Sequence, residues 1–159
     1  MSKTATIIDT ALLDSVTAQA EASPRRRKNH NFHPVNEFPC HRLLNAIEPD
    51  SYVPPHCHAA AAKDETILAL RGRMGLVFFD AVGTVTAKAL IEPGGAAVAV
   101  DIPHGLFHTI VALEPGCVFF EAKAGPYEAL TAEERAPWAP GEGEAGAMEY
   151  LAGLRRLFQ

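Results

Sequence analysis

Residues 54–72 read PPHCHAAAAKDETILALRG, and the few polar residues of this otherwise apolar stretch occur at regular offsets. His56 and His58 are separated by one residue, Glu65 follows seven residues after His58, and Gly72 ends the apolar run. Because successive side chains of an extended strand point to opposite faces, the two imidazoles share one face and Cys57 points away from it. A hairpin to the next strand would bring the Glu65 carboxylate beside them.

A further histidine with the same potential lies in IPHGLFHTI, residues 102–110. Pro103 and Gly105 predict a tight turn, and His108 follows at the start of an apolar run. Three imidazoles and a carboxylate suit first-row divalent metals. We therefore predict one divalent transition metal, with Zn, Fe, Mn and Ni as candidates, bound by His56, His58, Glu65 and His108. His104, in the turn, is a candidate for proton transfer, although a turn histidine is often only solvated.

From residue 40 onward, short apolar runs alternate with turn signals, which is typical of a β-sandwich or barrel. The runs are CHRLLNAI, ETILALRG, MGLVFFD, TVTAKALI, AAVAV, FHTIVAL and CVFFEAK. Helical spacing predicts a short helix over residues 9–21 and another within the last fifteen residues. We expect an N-terminal helix and basic arm over residues 1–39, a barrel over 40–125, and a proline-rich segment with a C-terminal helix packed on the barrel over 126–159.

Composition limits the classes of protein. A chain of 159 residues with 48% apolar residues fits one domain with a sizeable core. The net charge of −5 argues against a nucleic-acid-binding protein. Asp9 and Asp14 interrupt the apolar N-terminus, and no long uncharged apolar run is present, so we expect a cytoplasmic protein that does not bind membranes. The three cysteines form no C-x-x-C pair, which predicts free thiols.

The two histidine segments also carry a resemblance. Residues 50–72 resemble the first cupin motif, G-x5-H-x-H-x3-4-E-x6-G, and PHGLFH resembles the P-x-G-x-x-H of the second. The four predicted ligands fall on the metal positions of these motifs. Asp50 replaces the opening glycine, Ala112 replaces the closing asparagine, and the gap before Glu65 is longer than in the motif. The resemblance implies an all-β cupin double-stranded β-helix, or jelly-roll, barrel with short terminal helices.

A narrower resemblance covers residues from about 5 to 143. The segments SPRRRKNHNFH, LNAIEPDSYVPPH, ALEPG, GPYEALT and APWAP are similar to those of WbuC-type cupin metalloproteins, which are associated with bacterial O-antigen gene clusters. This suggests a metal-dependent enzyme acting on a sugar or sugar-phosphate derivative, by isomerisation or epimerisation. An Fe(II) dioxygenase and a non-catalytic metal-assisted binding or regulatory domain are the alternatives, because fold does not decide function.

Two further expectations concern the arm and the assembly. If the basic run RRRKNHNFH is extended, alternation places a row of hydrogen-bond donors on one face, where it could hold an anionic substrate over the metal. The alternative is a solvated arm, or one that is held by a neighbouring subunit. The candidates for substrate contact are Arg27, Asn29, Asn31 and His33, and His33 is also a candidate for proton transfer.

The strands ETILALRG and MGLVFFD are apolar on both faces, which predicts a homodimer unless the terminal helices cover them.

Overall fold

The computed structural model describes residues 4–159, in which eight β-strands lie between two helices. Strand starts and ends follow the turn signals closely, and the predicted all-β class with short terminal helices is confirmed. The side chain of Asp9 caps the first helix by accepting a hydrogen bond from the Leu12 amide. The elements are α1 Thr10–Ala22, β1 Arg27–Asn31, β2 Cys40–Ile47, β3 Glu65–Arg71, β4 Met74–Phe79, β5 Val85–Ile91, β6 Ala99–Ile102, β7 Phe107–Ala112, β8 Cys117–Ala124 and α2 Ala147–Arg156.

Two antiparallel sheets form the barrel wall. One has the strand order β1-β2-β8-β3-β6, and the other has the order β5-β4-β7. The predicted basic arm therefore contributes an edge strand, in which Asn29 lies opposite Asn45 of β2. Across β8, Lys123 lies opposite both His41 of β2 and Glu65 of β3. These pairings bring residues distant in sequence onto one inner surface.

The inner face of β8 changes in polarity along the strand. Cys117 and Phe119 belong to the main apolar core, together with Ile47 and Ile67 of the neighbouring strands. Phe119, Ile47 and Ile67 also line a cavity, which continues along the strand past Glu121 and Lys123. One end of the barrel is therefore closed by close packing of apolar side chains, and the other end is polar and open to a ligand.

The terminal helices cover the outer faces of the sheets. Val16 and Ala20 of α1 pack against Leu44 and Val118, and α2 packs through Leu151 and Leu154 against apolar residues of β4 and β7. This cover accounts for the apolar outer face of β4, and the homodimer stays a prediction. Within residues 4–159, no helix is long and apolar enough to cross a membrane.

Candidate metal centre

Three imidazoles converge at the polar end of the barrel. His56 and His108 form an isolated antiparallel bridge, in which each backbone amide donates to the carbonyl of the other at 3.0 and 2.9 Å. His58 lies two residues further along the same segment. One ring nitrogen from each histidine lies within 4.8 Å of the others, so the three form a group that could hold a metal ion.

The segment that carries His56 and His58 is not the hairpin strand expected from the sequence. It pairs with His108 and, on its other side, with Arg135, and it does not pair with β3. The preceding residues Pro54 and Pro55 lack amide hydrogens, which disfavours a regular ladder there. The two imidazoles nevertheless reach the third one, because the bridge at His56 and a hydrogen bond from the Gly105 amide to the His58 carbonyl, at 2.8 Å, hold the segment beside β7.

Backbone carbonyls set the tautomers of two of these rings. His56 Nδ1 donates to the carbonyl of Pro54 at 3.0 Å, and His108 Nδ1 donates to that of Leu106 at 2.9 Å. Because a carbonyl only accepts, Nδ1 carries the hydrogen and Nε2 keeps its lone pair for a metal. Burial, together with the neighbouring His108, lowers the pKa of His56 to about 3, so this ring is neutral at pH 7.

Glu65 supplies a carboxylate beside the imidazoles. Its Oε2 atom lies 3.2 Å from His58 Nε2 and 3.4 Å from His108 Nε2. Both Glu65 Oε2 and His58 Nε2 are buried and lack a hydrogen-bond partner, because their mutual orientation does not suit a hydrogen bond. Unpaired buried polar atoms are costly, and a cation between them would satisfy both, so the residues present fit a bound metal.

Electrostatics keep the Glu65 carboxylate charged. Burial by itself would raise its pKa, but the imidazoles of His108 and His58 and the ammonium group of Lys123 outweigh burial and hold the pKa well below its usual range. The Lys123 ammonium lies 3.9 Å from Glu65 Oε1 and 2.6 Å from Glu121 Oε1. Burial and the Glu65 charge raise the pKa of Glu121 to about 7.

The candidate centre opens into a cavity of about 810 Å³, which is within the usual range for small-molecule sites. Its apolar lining lies toward the core, and charged side chains of both signs line the rest. The basic residues are Arg25, Arg27, Lys63, Lys123 and Arg135, and the acidic residues are Glu65, Glu121, Glu128, Glu142 and Glu144. A divalent metal would add positive charge to this balanced lining, which favours a neutral or anionic ligand.

The proline-rich segment crosses the cavity mouth. We call residues 126–144 the strap, since its residues line the cavity for most of its length. The Glu134 carbonyl accepts from the Cys57 amide at 2.9 Å, and its side chain accepts from Ala59 at 2.8 Å. Further along, the Tyr52 hydroxyl donates to Pro140 at 2.8 Å. The strap is thereby fixed to the segment that carries the histidines.

The basic arm reaches the cavity with only part of its predicted face. Arg27 and Asn29 line the cavity, whereas Asn31 and His33 do not. The His33 ring instead bonds to the backbone of Arg42, and it stacks on another histidine ring, that of His41, at 4.0 Å. The loop after β1 thus turns His33 away from the imidazole group.

The arginines of the arm already have an anionic partner. The Glu142 carboxylate of the strap accepts from Arg25 at 2.7 Å and from Arg27 at 2.9 Å. Arg27 also donates to the carbonyl of Tyr52 at 3.0 Å. These guanidinium groups therefore join the arm to the strap, and neither is a vacant anion site.

His104 lies outside the cavity lining. Its ring and its backbone amide both contact Asp64 Oδ1, at 2.7 and 2.8 Å, and the side chain is 44% exposed. Because of this surface pairing, we leave it out of the candidate site.

The polar cavity residues that the sequence analysis did not single out include Asn45, Glu121 and Lys123. The signal was present in CVFFEAK, because alternation places Glu121 and Lys123 on the same face as the core residue Phe119. Two charged residues at inward positions of a strand are unusual without a partner or a ligand. For Asn45, the corresponding signal is an amide residue inside the apolar run LLNAI, residues 43–47.

Comparisons with known proteins show the fold but no activity. A family model described as "Domain of unknown function (DUF6016)" matches residues 8–91. No curated protein matches the sequence. The structure is similar to KdgF from a Halomonas species, with 17% identity and a TM-score of 0.51 over 67% of this chain and 84% of that one.

Two other solved structures are similar to this one. The conserved SPY1581 protein of unknown function from Streptococcus pyogenes has 9% identity and a TM-score of 0.53, over 80% of this chain and 93% of that one. A cupin-2 domain protein from Shewanella frigidimarina has 18% identity and a TM-score of 0.45, over 62% and 80%. The likeness to the KdgF and SPY1581 structures shows a shared fold, the antiparallel β-barrel described above.

Proposed function

The chain belongs to the DUF6016 family, a domain of unknown function, and from the geometry of its cavity we propose that it is a metal-dependent enzyme acting on a small polar metabolite. The observation that carries this proposal is the convergence of three imidazole nitrogens within 4.8 Å, next to the buried Glu65 carboxylate, whose Oε2 atom has no hydrogen-bond partner. Such a cluster is costly to bury without a cation.

His56, His58 and His108 would hold the metal, and Glu65 would be a fourth ligand or would orient the imidazoles. The metal would supply Lewis-acid polarisation of a carbonyl or hydroxyl oxygen. The imidazoles of His108 and His58, together with the Lys123 ammonium, hold the pKa of Glu65 low and so keep its carboxylate competent as a ligand. The strap excludes bulk water from one side of the cavity, which strengthens the electrostatic interactions inside it.

The substrate class we propose is a sugar or sugar-phosphate derivative, converted by isomerisation or epimerisation. The resemblance of the arm and strap to WbuC-type cupins, associated with O-antigen gene clusters, supports a role in polysaccharide biosynthesis. The mixed polar lining of the cavity suits a hydroxyl-rich molecule better than an apolar one. Of the arm residues, Asn29 is the one we retain as a substrate contact, since Glu142 occupies the guanidinium of Arg27.

The test combines metal analysis with a reaction screen. The purified protein is assayed for its metal, for oxygen consumption, and for conversion within a panel of sugar phosphates followed by NMR. Conversion that disappears in His58→Ala, without oxygen uptake, supports the proposal. Oxygen uptake with bound iron would replace it with dioxygenase chemistry. Ligand binding without any turnover would replace it with a binding domain.

A further inference from the structure

A continuous row of polar side chains runs along the inner wall of the cavity. We call it the polar strip: Asn29 of β1, Asn45 of β2, and Glu121 and Lys123 of β8. Asn29 and Asn45 are a cross-strand pair, and Lys123 lies opposite Glu65. The polar strip therefore starts beside the candidate metal ligands and ends at the edge strand of the sheet.

Its members are linked but keep free hydrogen-bonding capacity. Asn45 donates from Nδ2 to Glu121 Oε2 at 2.8 Å, which leaves its carbonyl oxygen available. Lys123 contacts Glu121 at 2.6 Å and has further ammonium hydrogens. Asn29 makes no side-chain hydrogen bond within residues 4–159 of the structure. Donors and acceptors thus alternate along the strip, and a hydroxyl group, which is both, can match each of them.

Packing does not explain why this wall is charged. Burying an ion pair such as that of Glu121 and Lys123 costs about as much as its attraction returns, and apolar residues often replace such pairs without loss of stability. The inward positions nearer the closed end, including Phe119 and Ile47, are apolar, and both of these also line the cavity. This wall therefore accommodates apolar side chains, yet the next inward positions of β8 are Glu121 and Lys123.

We infer that the polar strip binds the hydroxyl groups of a polyhydroxylated ligand whose head group faces the three imidazoles. This inference rests on the proposed function for the position of the head group and adds the residues that select the rest of the molecule. An aliphatic ligand of the same length would leave the buried Glu121 and Lys123 without new partners, and it would be bound less tightly.

The test compares two probes of equal charge and carbon number, D-gluconate and hexanoate, which differ in their hydroxyl groups. Binding to the metal-containing protein is measured by isothermal titration calorimetry at pH 7. We expect gluconate to bind at least about 10-fold more tightly than hexanoate, since a few hydrogen bonds with charged partners suffice for that ratio. Equal affinity, or no binding of gluconate, would overturn the inference.

Variants test whether the preference for gluconate over hexanoate arises from the polar strip. Asn29→Ala and Asn45→Ala should each reduce the preference for gluconate about threefold or more and leave hexanoate binding unchanged. Asn31→Ala is the matched control, because Asn31 lies on the same face of β1 but outside the cavity, and it should keep the full preference. A preference that survives in Asn29→Ala and Asn45→Ala, or that falls equally in Asn31→Ala, would refute the assignment.

The binding comparison can fail or succeed independently of the test of the proposed function. The proposed function fails if no turnover occurs, whereas this comparison measures selectivity for hydroxyl groups without any conversion. If Asn45→Ala does not fold, Asn29→Ala decides the matter, because Asn29 is exposed at the cavity rim and its loss leaves the core intact.

Discussion

The Nε2 atom of His58 lies 3.2 Å from Oε2 of Glu65, and both atoms are buried without a hydrogen bond. Two polar atoms held this close in a low-dielectric interior are stabilised when a cation is placed between them. The relationship links the three imidazoles to the carboxylate and is the basis of the first prediction.

Glu65→Gln should weaken metal affinity at least about 10-fold, because the neutral amide removes the negative charge that faces the imidazoles. The affinity is measured by competition with a chromogenic chelator. Glu128→Gln is the control, since Glu128 lines the same cavity but pairs with Lys63 at 2.8 Å. Unchanged affinity in Glu65→Gln would remove Glu65 from the centre.

Glu142→Gln should destabilise the protein by about 1 kcal/mol at pH 7, because one partly exposed carboxylate bridges Arg25 and Arg27. Burial would raise the pKa of Glu142, but the two guanidinium groups outweigh it and lower the pKa below 4.5. A depressed folded-state pKa contributes stability above the unfolded value, and that contribution is lost as pH falls through the folded value. The difference between wild type and variant, measured by urea unfolding, should therefore shrink below pH 4.5. A difference independent of pH would contradict this account.

Gly72→Ala should destabilise the protein more than Gly94→Ala. Both glycines have positive φ, +77° and +74°, so backbone strain is similar in the two variants. A Cβ at Gly72 would lie 2.6 Å from Cys117 Sγ, whereas nothing lies within 4 Å of one at Gly94. We expect about 1 kcal/mol for Gly94→Ala and at least about 1 kcal/mol more for Gly72→Ala, by thermal or urea unfolding. An equal loss of unfolding free energy in the two variants would show that β8 moves to accommodate the added methyl group.

Cys40 should be the one thiol that reacts with a chromogenic disulfide reagent in the native protein. All three cysteines are free, but Cys57 and Cys117 are buried. Burial also raises the pKa of Cys117 to about 11, which further lowers its thiolate fraction. Cys40→Ser should abolish the fast reaction, and all the remaining thiols should react after denaturation. Fast labelling of Cys117 in the native state would indicate that the closed end of the barrel opens.

The strands were predictable because glycine and proline turns separate short apolar runs, and the observed bounds follow those turns. The three histidines were predictable from spacing and from resemblance to cupin motifs. The partner of His56 was not predictable, because its bridge to His108 joins segments about fifty residues apart. Pro54 and Pro55, which precede it, disfavour the simpler hairpin. The pairing of Arg27 with Glu142 spans an even longer separation and leaves no local pattern. The arm therefore looked like a free anion site in the sequence.

Metal stoichiometry tests the central claim most directly. The protein is incubated with excess Zn(II) or Mn(II) and passed through gel filtration. Inductively coupled plasma mass spectrometry should then find one equivalent of metal per chain in the wild type and in His104→Ala, because the His104 ring lies outside the cavity. His58→Ala should retain less than about a tenth of an equivalent, because the remaining ligands lose chelation, and its thermal stability should no longer rise when metal is added. Full occupancy in His58→Ala, or none in the wild type, would contradict the account.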